Sequence, residues 1–302
     1  MFCDNMTDYS LVEDTFFESF RGKYIRALIT AEDELTAKEA AYDSTSTPSS
    51  VIGRIEGGVE GPLSKDKTPD GRPGYITHYW YSIDDLKKYE LELSYRIRQD
   101  ILVKPFTSMF SYTVNPVGYI PMMEQVGHCG DGYEWEEEIY GREMIHVPIA
   151  VPDFLIDNKL GYGNGIMGAN FWYMCSTKEA VLEAGRKIVN AILEVPGACA
   201  PFGICSAASK PETNFPQIGP STNHPYCPSL KNRLGDESKV PDKVNYIPEI
   251  VIDAVDEESM RNAVKAGIDS ILDVEGIVKI SAGNFGGNLG EDTFYLHDIL
   301  GI

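Results

Sequence analysis

The sequence predicts an α+β protein of two related lobes, and three observations lead to that prediction. A β-rich run, a polar cap, an amphipathic helix and another strand follow one another four times along the 302 residues. The last two of these units align without a gap at a fixed offset, residues 192–197 on residues 271–276. Two such units in each half indicate a split βαβ, or ferredoxin-like, sandwich. We expect one ferredoxin-like lobe at residues 1–150 and a second at residues 151–302, divided in a turn-rich stretch.

The N-terminal half supplies the first two units. The first has a strand at residues 24–29, a helix capped by Thr30 and a second strand at residues 51–53. The second has a strand at residues 75–81, a helix capped by Ser82 and an extended segment at residues 101–112. Apolar side chains at helical spacing give the second helix one buried face. They are Leu86, Tyr89, Leu93 and Ile97.

The C-terminal half supplies the other two units. A capping box of Ser176 and Glu179 begins the third helix, and Asp256 is the N-cap of the fourth. Residues 59–74 and 206–248 show no periodic pattern, and the second of these segments contains seven prolines. Connections of this length are unusual unless they bind something or are disordered. We expect that residues 206–248 bind a ligand.

Composition restricts the partners. The net charge of −20 and the isoelectric point near 4.6 argue against a nucleic acid or an anionic membrane, because both are bound by clusters of Lys and Arg. The first thirty residues carry acids among the apolar positions, and no stretch approaches eighteen apolar residues, so we expect a cytoplasmic protein. Salt screens charge repulsion, so assembly is expected to tighten in concentrated salt. Six scattered cysteines without a Cys-x-x-Cys pair indicate reduced thiols.

Two motifs suggest cofactors that the surrounding sequence does not support. Gly163, Gly165 and Gly168 match the dinucleotide pattern G-x-G-x-x-G, but strand-like residues follow where the motif requires a helix. We interpret these glycines as a turn that enters a strand. His224 and Cys227 are zinc-ligand types without a second pair, so no metal is predicted. Cys227 as a nucleophile activated by His224 remains an alternative to Cys227 as a packing residue.

Three charged residues invite a functional interpretation. Glu249 follows Pro248 and opens an apolar strand, where desolvation would raise the pKa of the carboxyl and suit it to proton transfer. The alternative is a strand-end Glu exposed to water. Arg72 lies in a predicted turn, and Lys210 lies in the proline-containing segment. Either cation suits an anionic ligand group in a chain otherwise poor in positive charge. The acidic run at residues 134–138 is interpreted as a solvated hairpin.

The end of the chain is the most distinctive stretch. Four glycines lie within residues 283–290, directly after an apolar strand, so that main-chain amides there can approach a ligand without a Cβ in the way. Together with residues 130–133 and 221–228, this ending resembles the formylmethanofuran:tetrahydromethanopterin formyltransferase family, and the resemblance covers nearly the whole chain.

The resemblance implies a reversible transfer of a formyl group from N-formylmethanofuran to N5 of tetrahydromethanopterin. It also implies two-lobed α+β subunits that assemble as homo-oligomers, usually homotetramers, use both coenzymes as cosubstrates and have no prosthetic group. The implied chemistry requires no metal. The residue that matches the family's proton-handling carboxylate is Glu249. Direct acyl transfer needs amide or side-chain donors for the developing oxyanion and cations for the acidic coenzymes. The substrate-binding residues expected on this basis are Ser221, Thr222, Asn223, Gly283, Asn284, Phe285, Gly286, Arg72 and Lys210.

Four single positions and the segment at residues 53–56 depart from the family pattern. The single positions are Ala169 in place of a Gly, His224-Pro225 in place of Asp-Ala, and Asn288 in place of a Lys. These differences are compatible with another pterin preference, with a subunit of a transferase and hydrolase complex, or with a paralog. A second hypothesis is therefore a non-catalytic subunit that binds a pterin or a partner protein. The retained Glu249 and residues 221–223 favour the enzyme. A metal-dependent formyl hydrolase lacks a ligand set.

Overall fold

A computed structural model describes residues 7–46, 55–82, 85–151, 153–206 and 209–302. These residues form a mixed α+β fold with fifteen strands and six α-helices. The strands are β1 Phe16–Thr30, β2 Glu56–Leu63, β3 Gly74–Tyr81, β4 Ser108–Ser111, β5 Gly118–Pro121, β6 Trp135–Ile139, β7 Arg142–Pro148, β8 Asp153–Asp157, β9 Lys159–Cys175, β10 Ala198–Cys199, β11 Ser209–Lys210, β12 Ser221–Thr222, β13 Glu249–Ala254, β14 Ile277–Ser281 and β15 Asp292–Tyr295. The helices are α1 Glu34–Thr45, α2 Leu86–Arg96, α3 Lys178–Leu193, α4 Lys231–Leu234, α5 Glu257–Asp269 and α6 Leu296–Leu300.

The chain divides into two compact units. The N-terminal unit comprises Arg21–Ile166 and Ala254–Asp256. The C-terminal unit comprises Met167–Asp253, Glu257–Ile302 and the described residues up to Phe20. The long strands β1 and β9 contribute residues to both units. No helix in the described part of the chain is both long and apolar enough to cross a bilayer.

The N-terminal unit is arranged around β1. This strand pairs antiparallel with β3, from Lys23↔Tyr81 to Thr30↔Gly74, and on its other side with β4. Strand β2 pairs with β3, so the spatial order is β4-β1-β3-β2. Along the chain, α1 connects β1 to β2, and α2 connects β3 to β4. Beyond β4 the sheet continues through β8, β7 and β6. Every residue of β3 is buried, which explains why most of its side chains are apolar or aromatic.

The C-terminal unit shows the predicted repeat. Strand β14 pairs antiparallel with β9, β9 neighbours β13, and β13 neighbours β10, so the spatial order is β14-β9-β13-β10. Helices α3 and α5 begin at Lys178 and Glu257, and β10 and β14 begin at Ala198 and Ile277, so that both pairs show the predicted offset of 79 residues. The two helices pack closely, since a Cβ on Gly267 would lie 3.1 Å from Cγ2 of Ile188. Burying one such Ile side chain stabilises the fold by about 1.5–3 kcal/mol.

Three predicted helix caps are wrong. The α1 cap is Asp33 rather than Thr30, because Thr30 is still part of β1 and its hydroxyl donates to Asp70. The α2 cap is Asp85 rather than Ser82, and the α3 cap is Thr177 rather than Ser176. In each helix the observed cap accepts a hydrogen bond from a main-chain N–H of the first turn, which a residue outside that turn cannot do.

Two segments differ from the expected secondary structure. Strand β2 extends to Leu63, inside the stretch predicted to be irregular. A π-helical turn, Ile97–Ile101, continues α2, so that the predicted extended segment contains only the short strand β4. The strand predicted at residues 51–53 lies outside the described residues. The acidic run is confirmed as an exposed hairpin strand, β6.

The G-x-G-x-x-G glycines lie inside β9, so the prediction of a turn is wrong. A Cβ on Gly163 would stand 2.7 Å from the ring of Tyr24, and one on Gly165 would stand 2.7 Å from the ring of Trp80. A side chain at either position would clash with one of these two aromatic rings, which belong to the same unit as the glycines. The glycines therefore allow close packing of a strand against aromatic residues, rather than forming a phosphate-binding turn.

Candidate active site

Glu249 is buried at the start of β13, where its side chain is 5% exposed. Its main chain forms a two-way bridge with Cys205: the N–H of Glu249 donates to O of Cys205 over 2.9 Å, and the N–H of Cys205 donates back over 3.0 Å. Pro248 cannot donate, but its carbonyl accepts the N–H of Tyr173. These bonds fix the backbone on both sides of Glu249. The interpretation of Glu249 as a water-exposed strand end is therefore wrong.

Three neutral side chains donate to the Glu249 carboxylate. Nδ2 of Asn170 and Nε1 of Trp172 donate to Oε2 over 3.1 and 3.3 Å. The thiol of Cys205 donates to Oε1 over 3.2 Å. Burying a carboxylate is costly unless hydrogen bonds replace the lost water, and these donors serve both oxygens.

Asn170 connects Glu249 to the glycine-rich loop at residues 283–290. The N–H of Gly283 donates to Oδ1 of Asn170 over 3.2 Å. A Cβ on Gly283 would lie 2.9 Å from this oxygen and 3.1 Å from the indole of Trp172, so only glycine allows the approach. Two of the predicted site residues, Glu249 and Gly283, are thus brought together through a residue that sequence reasoning did not select.

The rest of the glycine-rich loop is held by Glu18, which is buried on β1. Its carboxylate accepts the N–H groups of Phe285, of Leu289 over 2.8 Å and of Gly290 over 3.3 Å. Asn284 donates through Nδ2 to Thr15 and accepts the N–H of Gly286 on Oδ1. The amides of Phe285 and Gly286 thus have partners within the C-terminal unit, and these bonds define the shape of the loop.

The other predicted binding residues of this unit lie in a two-stranded ribbon. Strands β11 and β12 pair Ser209 with Thr222 and Lys210 with Ser221. The ammonium of Lys210 and the hydroxyl of Ser221 both donate to the carbonyl of Glu212. Asn223 follows the ribbon and accepts the N–H of Tyr226 on its main-chain oxygen. The structure therefore groups Lys210 with Ser221, Thr222 and Asn223.

The segment that contains the ribbon packs on the strand that serves Glu249. The ring of Tyr226 meets the ring of Trp172 edge-on, with centroids 4.7 Å apart. Burial raises the pKa of Tyr226 above its ordinary value, and Glu13 acts in the same direction. Val240, Val244 and Ile247 add an apolar cluster against Trp172 and Met174. The indole that donates to Glu249 is therefore fixed by the irregular segment.

Neither alternative site finds structural support in the described residues. Sγ of Cys227 lies 3.2 Å from Oγ1 of Thr222, and no hydrogen bond joins it to the ring of His224 in this part of the chain. Within the described ranges, no three His, Cys, Asp or Glu side chains are grouped so that they could hold a metal ion.

Arg72 lies in the N-terminal unit, after a turn in which Gly71 has a φ of 72°. Its guanidinium donates to Asp70 over 2.8 Å, to the Ser108 hydroxyl over 2.7 Å and to the Thr30 hydroxyl over 3.2 Å. A further N–H donates to the carbonyl of Phe106. These contacts join the ends of β1, β3 and β4. Arg72 belongs to the N-terminal unit, whereas the ribbon and Glu249 belong to the C-terminal unit.

Sequence reasoning missed the residues that contact Glu249. Asn170 and Glu249 are 79 residues apart, which is the offset of the internal repeat. The repeat register was therefore the signal that could have identified Asn170. Trp172 lies two residues further along β9, on the same face of the strand. Nothing in the local sequence indicated Cys205 or Glu18.

Comparison with known proteins accounts for the whole chain. The family model described as formylmethanofuran-tetrahydromethanopterin formyltransferase matches residues 6–149, and the model described as its proximal lobe matches residues 152–299. The chain belongs to the formylmethanofuran-tetrahydromethanopterin formyltransferase family. A formyltransferase from Methanothermobacter thermautotrophicus is 40% identical to it over 95% of this chain and 97% of that protein. A formyltransferase-like protein from Methanothermobacter marburgensis is 60% identical over 96% and 98%.

Two solved structures of this formyltransferase family have the same fold. The formyltransferase of Methanosarcina barkeri is 35% identical and superposes with a TM-score of 0.91, covering 97% of this chain and all of the other. The formyltransferase/hydrolase complex of Methylorubrum extorquens, solved with methylofuran, contains a chain that is 31% identical and superposes with a TM-score of 0.86, covering 96% of both.

Proposed function

We propose that this protein transfers a formyl group between N-formylmethanofuran and N5 of tetrahydromethanopterin, with Glu249 as the general acid/base. The observation that carries the proposal is the buried Glu249 carboxylate, which accepts hydrogen bonds from three neutral donors and is linked through Asn170 to the Gly283 loop. Membership of a formyltransferase family over nearly the whole chain supports the choice of reaction.

The proposed reaction is a direct acyl transfer without a covalent enzyme intermediate. The lone pair of N5 attacks the formyl carbon, and the electrons of the carbonyl π bond move to oxygen. The ionised Glu249 accepts the proton that N5 loses. It then returns this proton to the methanofuran nitrogen as the original carbon–nitrogen bond breaks and the carbonyl re-forms. The proton count is unchanged over the cycle, and both coenzymes act as cosubstrates without covalent attachment.

We assign substrate binding to the two loops that flank this carboxylate. The ribbon residues Lys210, Ser221, Thr222 and Asn223 supply a cation and polar donors, and the loop residues Gly283, Asn284, Phe285 and Gly286 supply close main-chain approach. Arg72 is assigned to an acidic group of a coenzyme, a role that requires it to exchange one of its present hydrogen bonds. Oxyanion stabilisation needs donors placed before the reaction, which the anchored loops favour.

The same proposal extends to architecture and assembly. The matching spatial orders β4-β1-β3-β2 and β14-β9-β13-β10 support two ferredoxin-like lobes. The family-model ranges support a boundary near residue 150. We further propose a cytoplasmic homotetramer whose association strengthens with salt, because a net charge of −20 makes subunits repel one another at low ionic strength.

The test is the formation of N5-formyltetrahydromethanopterin from N-formylmethanofuran, followed by absorbance. We expect turnover by the native protein and a loss of about 10²–10⁴-fold in kcat for Glu249→Gln, which keeps the shape and removes the proton acceptor. Glu183→Gln, the same substitution on the exposed face of α3, is the control and should keep native turnover. Native turnover by a correctly folded Glu249→Gln variant would exclude the acid/base role.

A second candidate is a non-catalytic paralog that binds a pterin or a partner protein. It is favoured by the names of the relatives, since formyltransferase-like proteins reach 60% identity and a protein named formyltransferase reaches 40%. The departures at Ala169, His224, Pro225 and Asn288 are consistent with it. Asn288 is exposed, and its Nδ2 donates to the main-chain oxygens of Phe285 and Gly286 in the glycine-rich loop. Calorimetric binding of tetrahydromethanopterin without any turnover would support this candidate.

A further inference from the structure

Asn170 and Glu249 are equivalent positions of the internal repeat. They are separated by 79 residues, lie on the neighbouring strands β9 and β13, and meet through a hydrogen bond of 3.1 Å. The repeat therefore places an amide of its first copy directly against a carboxylate of its second copy, both within the C-terminal unit. An amide can present either a donor or an acceptor, whereas an ionised carboxylate can only accept.

The Gly283 loop determines which end of the Asn170 amide faces Glu249. A main-chain N–H can only donate, so the atom of Asn170 that meets Gly283 is the oxygen Oδ1. The nitrogen Nδ2 is then directed to Oε2 of Glu249, where a hydrogen-bond donor favours the ionised carboxylate. The two hydrogen bonds of this one side chain are therefore dependent on each other.

We infer that Asn170 is a positioning residue that couples the loop contact at Gly283 to the protonation state of Glu249. When a ligand occupies the Gly283 N–H, the amide is released to rotate about its terminal torsion and present Oδ1 to the carboxyl group. The protonated form of Glu249 then donates its O–H to Oδ1. The inference deepens the proposed function, on which it rests, by linking ligand contact at the loop to the proton step.

The other two described donors to the carboxylate, Trp172 and Cys205, do not provide this coupling. Trp172 is a donor in every state, because an indole nitrogen has no acceptor role. Among the three donors, Cys205 is the titratable one, and its thiol faces the other oxygen, Oε1. Neither side chain forms a described hydrogen bond with Gly283, whereas Asn170 contacts both the loop and the carboxylate.

The first test replaces the Asn170 amide, which donates to Glu249, by a carboxyl group of the same charge type as Glu249. Asn170→Asp keeps the acceptor for Gly283 and places a second carboxyl group against Glu249. We expect the titration midpoint of Glu249 to move to higher pH by about one unit or more. The midpoint is measured by carbon NMR on protein with carboxyl-labelled glutamate, and the Glu249 signal is assigned by its loss in Glu249→Gln. Asn158→Asp, the same change at the amide that donates to Glu143 in the N-terminal unit, should leave it unchanged.

The second test perturbs the loop without adding charge. Gly283→Ala places a Cβ 2.9 Å from Oδ1 of Asn170, so the amide must shift and the Glu249 midpoint should move as well. Unchanged midpoints in both Asn170→Asp and Gly283→Ala, with native circular dichroism, would overturn the inference. These measurements need no substrate, so their outcome does not depend on whether the protein catalyses the proposed reaction. Where turnover is present, kcat should fall more than KM rises in Asn170→Asp.

Discussion

Two buried glutamates, one in each unit, differ in the chemistry of their described hydrogen-bond partners. Glu60 in the N-terminal unit accepts two N–H groups of the Arg26 guanidinium and meets Nε2 of the buried His78 over 2.7 Å. Glu249 in the C-terminal unit accepts hydrogen bonds from an amide, an indole and a thiol. The Arg26 guanidinium places a positive charge beside Glu60, whereas the three described donors to Glu249 are neutral side chains. A structural carboxylate and a candidate proton carrier are thereby distinguished by their partners rather than by burial.

The pKa of Glu60 illustrates the first environment. Burial acts to raise it, but hydrogen bonds and charge from His78 and Arg26 outweigh burial and lower the pKa from 4.5 to about 2. Opposite charges within hydrogen-bond distance commonly have this effect. Glu60 is therefore a poor candidate for proton transfer near neutral pH, although it is as deeply buried as Glu249.

Among the substitutions that distinguish Glu60 from Glu249, Glu60→Gln is expected to lower the free energy of unfolding most. The substitution leaves the Arg26 charge in the interior without its counterion, and loss of one partner of a buried pair typically costs about 3–5 kcal/mol. Urea unfolding followed by circular dichroism gives this free energy. Turnover per folded molecule should stay native, since Glu60 is not part of the proposed site. A loss below 1 kcal/mol would mean that the pair contributes no more than a surface salt bridge.

Acid should destabilise the fold through the same group. The folded-state pKa of Glu60 lies below its unfolded value, so its contribution is fully present above about pH 4.5 and is lost as the pH falls toward about 2. Urea unfolding between pH 2 and 6 measures the loss, which should reach a few kcal/mol. Because Glu60→Gln removes the titrating group, the variant should show a shallower decline over this range. Equal slopes would contradict the assignment.

A smaller effect is expected at one donor to Glu249. Trp172→Phe removes the indole N–H and retains an aromatic ring against Tyr226. Loss of one hydrogen bond to a buried charged group corresponds to about 1.5–3 kcal/mol, or roughly 10-fold to 100-fold in kcat. Trp135→Phe on the exposed acidic hairpin is the matched control. An unchanged kcat in Trp172→Phe would mean that Asn170 and Cys205 suffice to hold the carboxylate.

Local patterns predicted the fold better than they predicted the site. The offset of 79 residues follows from apolar spacing, and the structure places α3 and α5 at that offset. The choice of Glu249 depended on the family resemblance, since the sequence around it equally fits an exposed strand end. Its burial arises from contacts with residues 170, 172 and 205, which no local pattern reveals.

Arg72 shows why a cation in a turn is an uncertain guide to ligand binding. The sequence indicates a scarce positive charge beside a glycine turn, but it does not reveal whether the protein itself supplies the partners. In the structure, Asp70, Thr30 and Ser108 all accept from its guanidinium. The caps were misplaced for a related reason, since Ser, Thr and Asp near a helix start are chemically equivalent until the first turn is located.

The attachment of the glycine-rich loop to Glu18 has a practical consequence for handling the protein. The Glu18 carboxylate accepts three main-chain N–H groups of residues 285–290, although Glu18 lies in the first strand of the chain. Trimming the N-terminus past β1, or a tag that pulls this strand from β15, would release a loop more than 260 residues away. An affinity sequence on this protein should therefore be placed at the C-terminus, beyond α6, so that the first strand stays intact.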